Sequence, residues 1–182
     1  VLLEHPYFKM NVRQQRGAGR SRMYRPVIVS ELGHWHADIG YFATNKRYEM
    51  PVRYRAGYLV AKDVLSRYVY AVPLIKDKSA ESMMRALGQL LEAHRQHLPD
   101  VRVKSIAFDR ETSMLSRKVQ EYLSSENIRF HTFDMSSSKA KFAEGAIRLI
   151  REKVAVLMRR QNAKDRWWDL LPVVVENLNS QQ

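Results

Sequence analysis

The sequence predicts an α/β domain, a mixed five-stranded sheet flanked by helices, and three observations lead there. Three short runs rich in aromatic and β-branched residues come first, and helical patterns then alternate with two more strand-like runs. That order implies a mixed sheet rather than a purely antiparallel one. A length of 182 residues suits one domain with an arm and suffices to bury a substantial core. The hydrophobic share of 45% and charged share of 27% are ordinary for a globular chain.

Residues 1–30 lack apolar periodicity. Arg13, Arg16, Arg20, Arg22 and Arg25 surround Gly17 and Gly19, which reads as an extended basic arm, either a solvated tail or a segment that touches nucleic acid. The domain proper is expected over 31–182. Its first strand covers Trp35 to Phe42. Tyr58–Val64 and Tyr68–Leu74 read as a hairpin turning at Leu65–Arg67. Ser79 is a helix N-cap with Ser82 three residues on. Met83, Leu87, Leu90 and Leu91 then recur at helical spacing until Pro99 stops the run.

Val103–Phe108 is a buried type of strand that ends at Asp109. Ser113–Ser124 reads as an amphipathic helix, Ile128–Phe133 as a strand, and Ser136-Ser137-Ser138 as a loop. The helix expected over Lys141–Arg160 carries an apolar stripe of Ala143, Ile147, Ile150, Val154, Leu157 and Met158. A last helix, Trp167–Leu178, closes the domain. Trp167 and Trp168 read as one core residue and one rim residue.

The net charge of +12 points to a polyanionic partner, nucleic acid or an anionic membrane surface. No apolar run approaches the ~20 residues a spanning helix needs, so nucleic acid is the better fit and no membrane partner is expected. Cysteine is absent, which excludes disulfides and thiolate zinc sites and fits a reducing compartment such as the nucleus. The chain opens at Val1 without a basic-then-apolar leader and reads as a portion of something longer.

Four segments carry a resemblance. They are Trp35-His36-Ala37-Asp38, the run Tyr58 to Tyr68, Lys139-Ala140-Lys141-Phe142-Ala143-Glu144, and Arg166-Trp167-Trp168-Asp169-Leu170-Leu171-Pro172. Together they resemble the catalytic core of retroviral-type integrases, a family similar to ribonuclease H in fold, and most of all the integrases of Polinton (Maverick) transposons. The resemblance covers roughly residues 20–180. It implies a metal-binding catalytic triad of Asp38, Asp109 and Glu144, and the 34 residues from 110 to 143 agree with the family's usual separation of the last two acids. Asp63 falls on the second-strand position, which is not a metal ligand in that family.

The chemistry explains why acids would be needed. Cleavage and joining of phosphodiesters are in-line displacements that two divalent cations can stabilise at both attacking and leaving oxygens. Mg²⁺ (or Mn²⁺) takes hard oxygen ligands. Adjacent strands can set Asp38 and Asp109 side by side, where without a cation they would repel. The resemblance implies that these two share one ion and that Glu144 completes the second site.

Glu144 shares a helix face with Lys141, Arg148 and Arg151. Taken alone, Glu144 and Arg148 read as an i,i+4 surface pair worth ~0.2–0.5 kcal/mol. Within the resemblance, the basic residues become phosphate-positioning groups. Lys139, which matches the family's lysine before the third acid, is expected to touch DNA as well, together with Arg20 and Arg22 of the arm. His34 and His36 read as sheet-end or surface histidines, and His94 and His97 as solvated.

The chain departs from the family pattern at two places. Glu111 stands where a glycine usually follows the second acid, and Gly145-Ala146-Ile147-Arg148 keeps only the final arginine of the family's Arg-Phe-Asn-Arg. Gly145 inside a helix also costs about 1 kcal/mol relative to Ala. Two readings follow. One is a magnesium-dependent DNA integrase or transposase core, working as a homo-oligomer. The other is an integrase-derived domain with eroded chemistry, recruited to bind DNA or RNA within a larger nucleoprotein assembly.

Overall fold

The computed structural model describes residues 29–42, 57–109, 114–133, 141–160 and 166–181. The sheet is built from β1 (His34–Gly40), β2 (Tyr58–Asp63), β3 (Val69–Pro73), β4 (Ser105–Phe108) and β5 (Arg129–Thr132). Their order is β3-β2-β1-β4-β5. β1, β2 and β3 pair antiparallel, while β4 pairs parallel with β1 and β5 parallel with β4. The mixed five-stranded sheet flanked by helices is therefore observed.

Helices cover both faces: α1 (Ala80–His97), α2 (Arg117–Ser125), α3 (Lys141–Arg160) and α4 (Trp167–Asn179). Alternation along the strands sorts the core into two layers. Trp35, Ala37, Ile39, Leu59 and Ala61 pack with Met83, Leu87 and Leu90 of α1 and Val119 and Leu123 of α2. On the opposite face Tyr58, Val60 and Val69 pack with Ala146, Ile150 and Val154 of α3 and Trp167, Leu171 and Val174 of α4. Each large apolar side chain so enclosed contributes about 1.5–3 kcal/mol. Trp167 is buried and Trp168 half-buried, one in the core and one at its rim.

The hairpin turn is organised by one carboxylate. Asp63 accepts hydrogen bonds from the backbone N–H groups of Leu65 (3.0 Å), Ser66 (2.8 Å) and Gly33 (2.8 Å), and from the Ser66 hydroxyl (3.0 Å). Arg67 closes the turn at φ 68°, a left-handed conformation uncommon for a bulky residue. The far edge of the sheet is held by Asn179. Its carboxamide accepts from the Val69 N–H and donates to the Val69 carbonyl, each at 2.8 Å.

Two expectations are corrected. α2 begins at Arg117 rather than near Ser113, because Ser116 is its N-cap and accepts from the Val119 N–H. His94 is not solvated. It is 2% exposed and extends the α1 stripe one turn past Leu90. The Tyr70 hydroxyl lies 2.9 Å from Nδ1 and the Val101 carbonyl 2.8 Å from Nε2, so both ring nitrogens are satisfied and burial is tolerated.

Candidate active site

β1 is the central strand, and its residues alternate between the two layers. Trp35, Ala37 and Ile39 enter the α1–α2 layer, which turns His36 and Asp38 toward α3. In the parallel pairing with β4, Ala37 stands opposite Phe108. Continuing that register by one residue sets Asp38 beside Asp109, the residue after the last of β4.

From above, α3 brings Glu144. Asp38, Ile39, Glu144, Ile147, Arg148, Arg151 and Glu152 line one pocket of about 310 Å³. Asp38 Oδ1 accepts the Ile39 N–H at 2.8 Å. The helical steps from Glu144 to Arg148, Arg151 and Glu152 put two cations and a second acid on one flank. Asp109 does not line this pocket. Among the described residues, no group of three or more His, Cys, Asp or Glu side chains stands close enough to hold a metal ion. Asp38 and Glu144 are thus brought to one pocket from two elements, and Asp109 directly follows the strand that pairs with β1. Two hard carboxylates facing one pocket are a donor set that suits a hard divalent cation.

Of the other residues expected here, Lys141 is the first residue of α3 and is exposed, as are Arg148 and Arg151. Lys139, Arg20, Arg22, Glu111 and Ser136–Ser138 lie outside the described residues.

Sequence reasoning missed Glu152 and the pocket's buried support. Glu152 was open to discovery, since it lies two turns from Glu144 on the same face. The support is Tyr58, opposite Gly40 in the β1–β2 ladder. Its hydroxyl is 3.5 Å from the Ile147 carbonyl, and the charge of Arg151 acts on it. Burial pushes the Tyr58 hydroxyl up to about 12, with Arg151 opposing the rise and the Asp38 charge adding to it. Gly40 was the available signal, because glycine inside a strand often marks a close approach.

His36 corrects a further expectation. It is 5% exposed, neither at the surface nor at a sheet end, and its ring lies between Phe133 (centroids 4.8 Å apart) and Phe142 (5.1 Å). Burial first, and the charge of Arg67 second, hold its pKa down to about 4. His34 is half-buried, with Nδ1 2.7 Å from the Ser105 hydroxyl. Asp63, engaged in the hairpin turn, lines no part of the pocket.

Comparison with known proteins agrees with this architecture. The HTLV-2 integrase catalytic core domain, solved as a dimeric form in complex with magnesium, superposes with a TM-score of 0.64 at 16% identity, covering 82% of this chain and 87% of that one. The catalytic core domain of BIV integrase gives 0.61 at 15% identity, covering 82% and 85%. A chain of the simian T-cell lymphotropic virus intasome, solved with the PP2A regulatory subunit B56 gamma, gives 0.59 at 19% identity, covering 78% of this chain and 46% of that one. These likenesses establish the integrase-core, ribonuclease H-like fold. No curated protein matches the chain. Residues 29–138, a span that holds both Asp38 and Asp109, match the model of the integrase core domain. The chain belongs to the integrase core domain family.

Proposed function

We propose that this domain is the catalytic core of a DNA integrase or transposase of the Polinton (Maverick) kind, carrying out metal-dependent phosphodiester cleavage and strand transfer. The observation that supports this most is the pocket that Asp38 of β1 and Glu144 of α3 line together with Arg148 and Arg151, with Asp109 directly after the adjoining parallel strand.

In this reading Asp38, Asp109 and Glu144 hold two Mg²⁺ or Mn²⁺ ions. When bound, such ions stabilise the attacking and leaving oxygens of an in-line displacement. Arg148 and Arg151 hold the phosphodiester against the acids, and Lys139, Lys141, Arg20 and Arg22 extend that grip along the DNA. Tyr58 steadies Arg151 from below. The protein acts as a homo-oligomer or as a subunit of a nucleoprotein assembly, in the nucleus or another reducing compartment.

A strand-transfer assay with labelled duplex and Mg²⁺ or Mn²⁺ tests the proposal. Asp109→Asn and Glu144→Gln should each lower joining by at least about a hundredfold, a loss that even outer-shell changes at metal sites can reach, while duplex binding persists. Tight binding by the unaltered chain with no joining under any cation would replace this reading with that of a recruited, DNA- or RNA-binding domain.

A further inference from the structure

A cluster of basic residues beside the pocket is not explained by the proposed chemistry. Lys62 stands opposite His36 in the β1–β2 ladder, and Arg67 closes the turn that follows. The Arg67 guanidinium lies 4.1 Å from the centre of the Phe142 ring, and Phe142 also packs against His36. Burial and then the charge of Arg67 lower the pKa of Lys62, so the two cations sense each other. Among the described residues neither forms an ion pair. The acid that acts on Arg67 at a distance is Asp63, whose oxygens already serve the turn. Arg67 Nη1 and His36 Nδ1 are both buried without a hydrogen-bond partner.

Half-buried like charges and buried polar atoms without partners are costly unless something compensates them. Arg67 also adopts the left-handed backbone that glycine or asparagine would take with less strain, and strain of that kind concentrates at functional positions. We infer that Lys62 and Arg67, set beside the buried His36, form an anion subsite for one backbone phosphate of a nucleic-acid strand. Lys62 and Arg67 are each only partly buried, and a guanidinium held over an aromatic ring, as Arg67 is over Phe142, presents its fork to a phosphate. Lys62 stands opposite His36, which precedes Asp38 by two residues on the same face of β1, a rise of about 6.6 Å. That is of the order of the step between successive phosphates along a strand, and it favours a phosphate within a chain over a free anion.

The inference rests on the nucleic-acid-binding part of the proposed function and not on its chemistry, so it is tested without divalent cations. Affinity of the full chain for a labelled duplex is measured between about 50 and 200 mM salt in chelator. In Lys62→Gln/Arg67→Gln the log–log salt slope should shrink by about 0.9, the value for one lost duplex phosphate contact. Arg67→Lys, which keeps the charge without the fork, should keep the slope and bind more weakly. An unchanged slope in the double variant, with a reduced slope in Arg148→Gln/Arg151→Gln, overturns the subsite and leaves the proposed function standing. A wild-type chain whose affinity ignores salt overturns both.

Thermal unfolding supplies a second readout. Without anions the double variant should melt at or above the wild-type temperature, since a like-charge pair has been relieved; a marked fall would mean that the cations are structural and would overturn the inference. Inorganic phosphate, matched in ionic strength against chloride, separates the sources. A rise in wild-type melting temperature that the variant lacks shows that the phosphate group alone suffices, and no rise alongside the lost slope assigns the subsite to phosphates within a chain.

Discussion

The ring of Tyr58 lies across Gly40 so closely that a β-carbon on Gly40 would stand 2.3 Å from the ring's Cζ and 2.6 Å from its hydroxyl oxygen. Tyr58 cannot retreat, because Phe42 stacks on it at 5.0 Å and Trp167 packs at 5.6 Å. This contact fixes the Tyr58 hydroxyl near the carbonyl of Ile147, a residue that lines the pocket, where the charge of Arg151 acts on it.

Gly40→Ala should therefore destabilise the fold by about 1–3 kcal/mol, the usual cost of overpacking a tight core. Urea unfolding followed by tryptophan fluorescence measures it. Tyr58→Phe, which keeps the ring and removes the hydroxyl, should leave stability within about 1.5 kcal/mol of wild type while weakening DNA binding through a less ordered Arg151.

Gly145 presents the opposite case. It sits inside α3, and a β-carbon there would meet nothing within 4 Å. Gly145→Ala should stabilise the protein by about 0.5–1 kcal/mol, visible as a higher denaturation midpoint with an unchanged m-value. A gain in stability coupled to a loss of DNA joining would show that substrate needs that clearance beside Glu144.

The edge contact at Val69 is also measurable. Asn179→Leu removes both hydrogen bonds to that residue, leaving its N–H and carbonyl without partners, and should cost about 1–3 kcal/mol. Hydrogen exchange at the Val69 amide should accelerate well beyond that of Tyr70, which faces β2.

Acid sensitivity should arise at the start of α1. Asp77 accepts hydrogen bonds from the Ser79 N–H (3.0 Å) and the Ser82 hydroxyl (2.8 Å). These bonds, the Ser79 contacts foremost, hold its carboxyl down to about 2, against an ordinary 3.8. A carboxylate depressed on folding contributes stability that is complete above its unfolded pKa and is lost as pH falls through its folded one. The contribution of Asp77 should thus fade between about pH 4 and pH 2. Asp77→Asn should flatten that part of a plot of melting temperature against pH, leaving the neutral range little changed.

Much of this architecture is legible in the sequence because it follows from periodicity. The β-branched runs fall on the observed strands within a residue or two, and the α3 stripe marks both ends of that helix. The failures have local causes. Leu115 and Met114 extend an apolar pattern backwards from α2, yet Ser116 caps the helix and they lie before it. His94 looks solvated by type, while its buried partners Tyr70 and Val101 come from β3 and from the segment after α1, pairings no local pattern reveals. At the site, Asp38 and Glu144 are legible through motif and helix phase. Glu152 and Tyr58 become visible only when α3 is laid across β1 and β2. Whether Asp109 joins the same cluster depends on side-chain directions beyond the end of β4, which register alone does not set.

The two-residue alternation of β1 has an evolutionary consequence. Inserting or deleting one residue between Trp35 and Asp38 would put both side chains on the same face, so that either the acid enters the α1–α2 layer or the tryptophan leaves it. Descendants of this chain can relocate the acid along β1 only in jumps of two, since a frame change of one forfeits either the packing of the tryptophan or the placement of the acid.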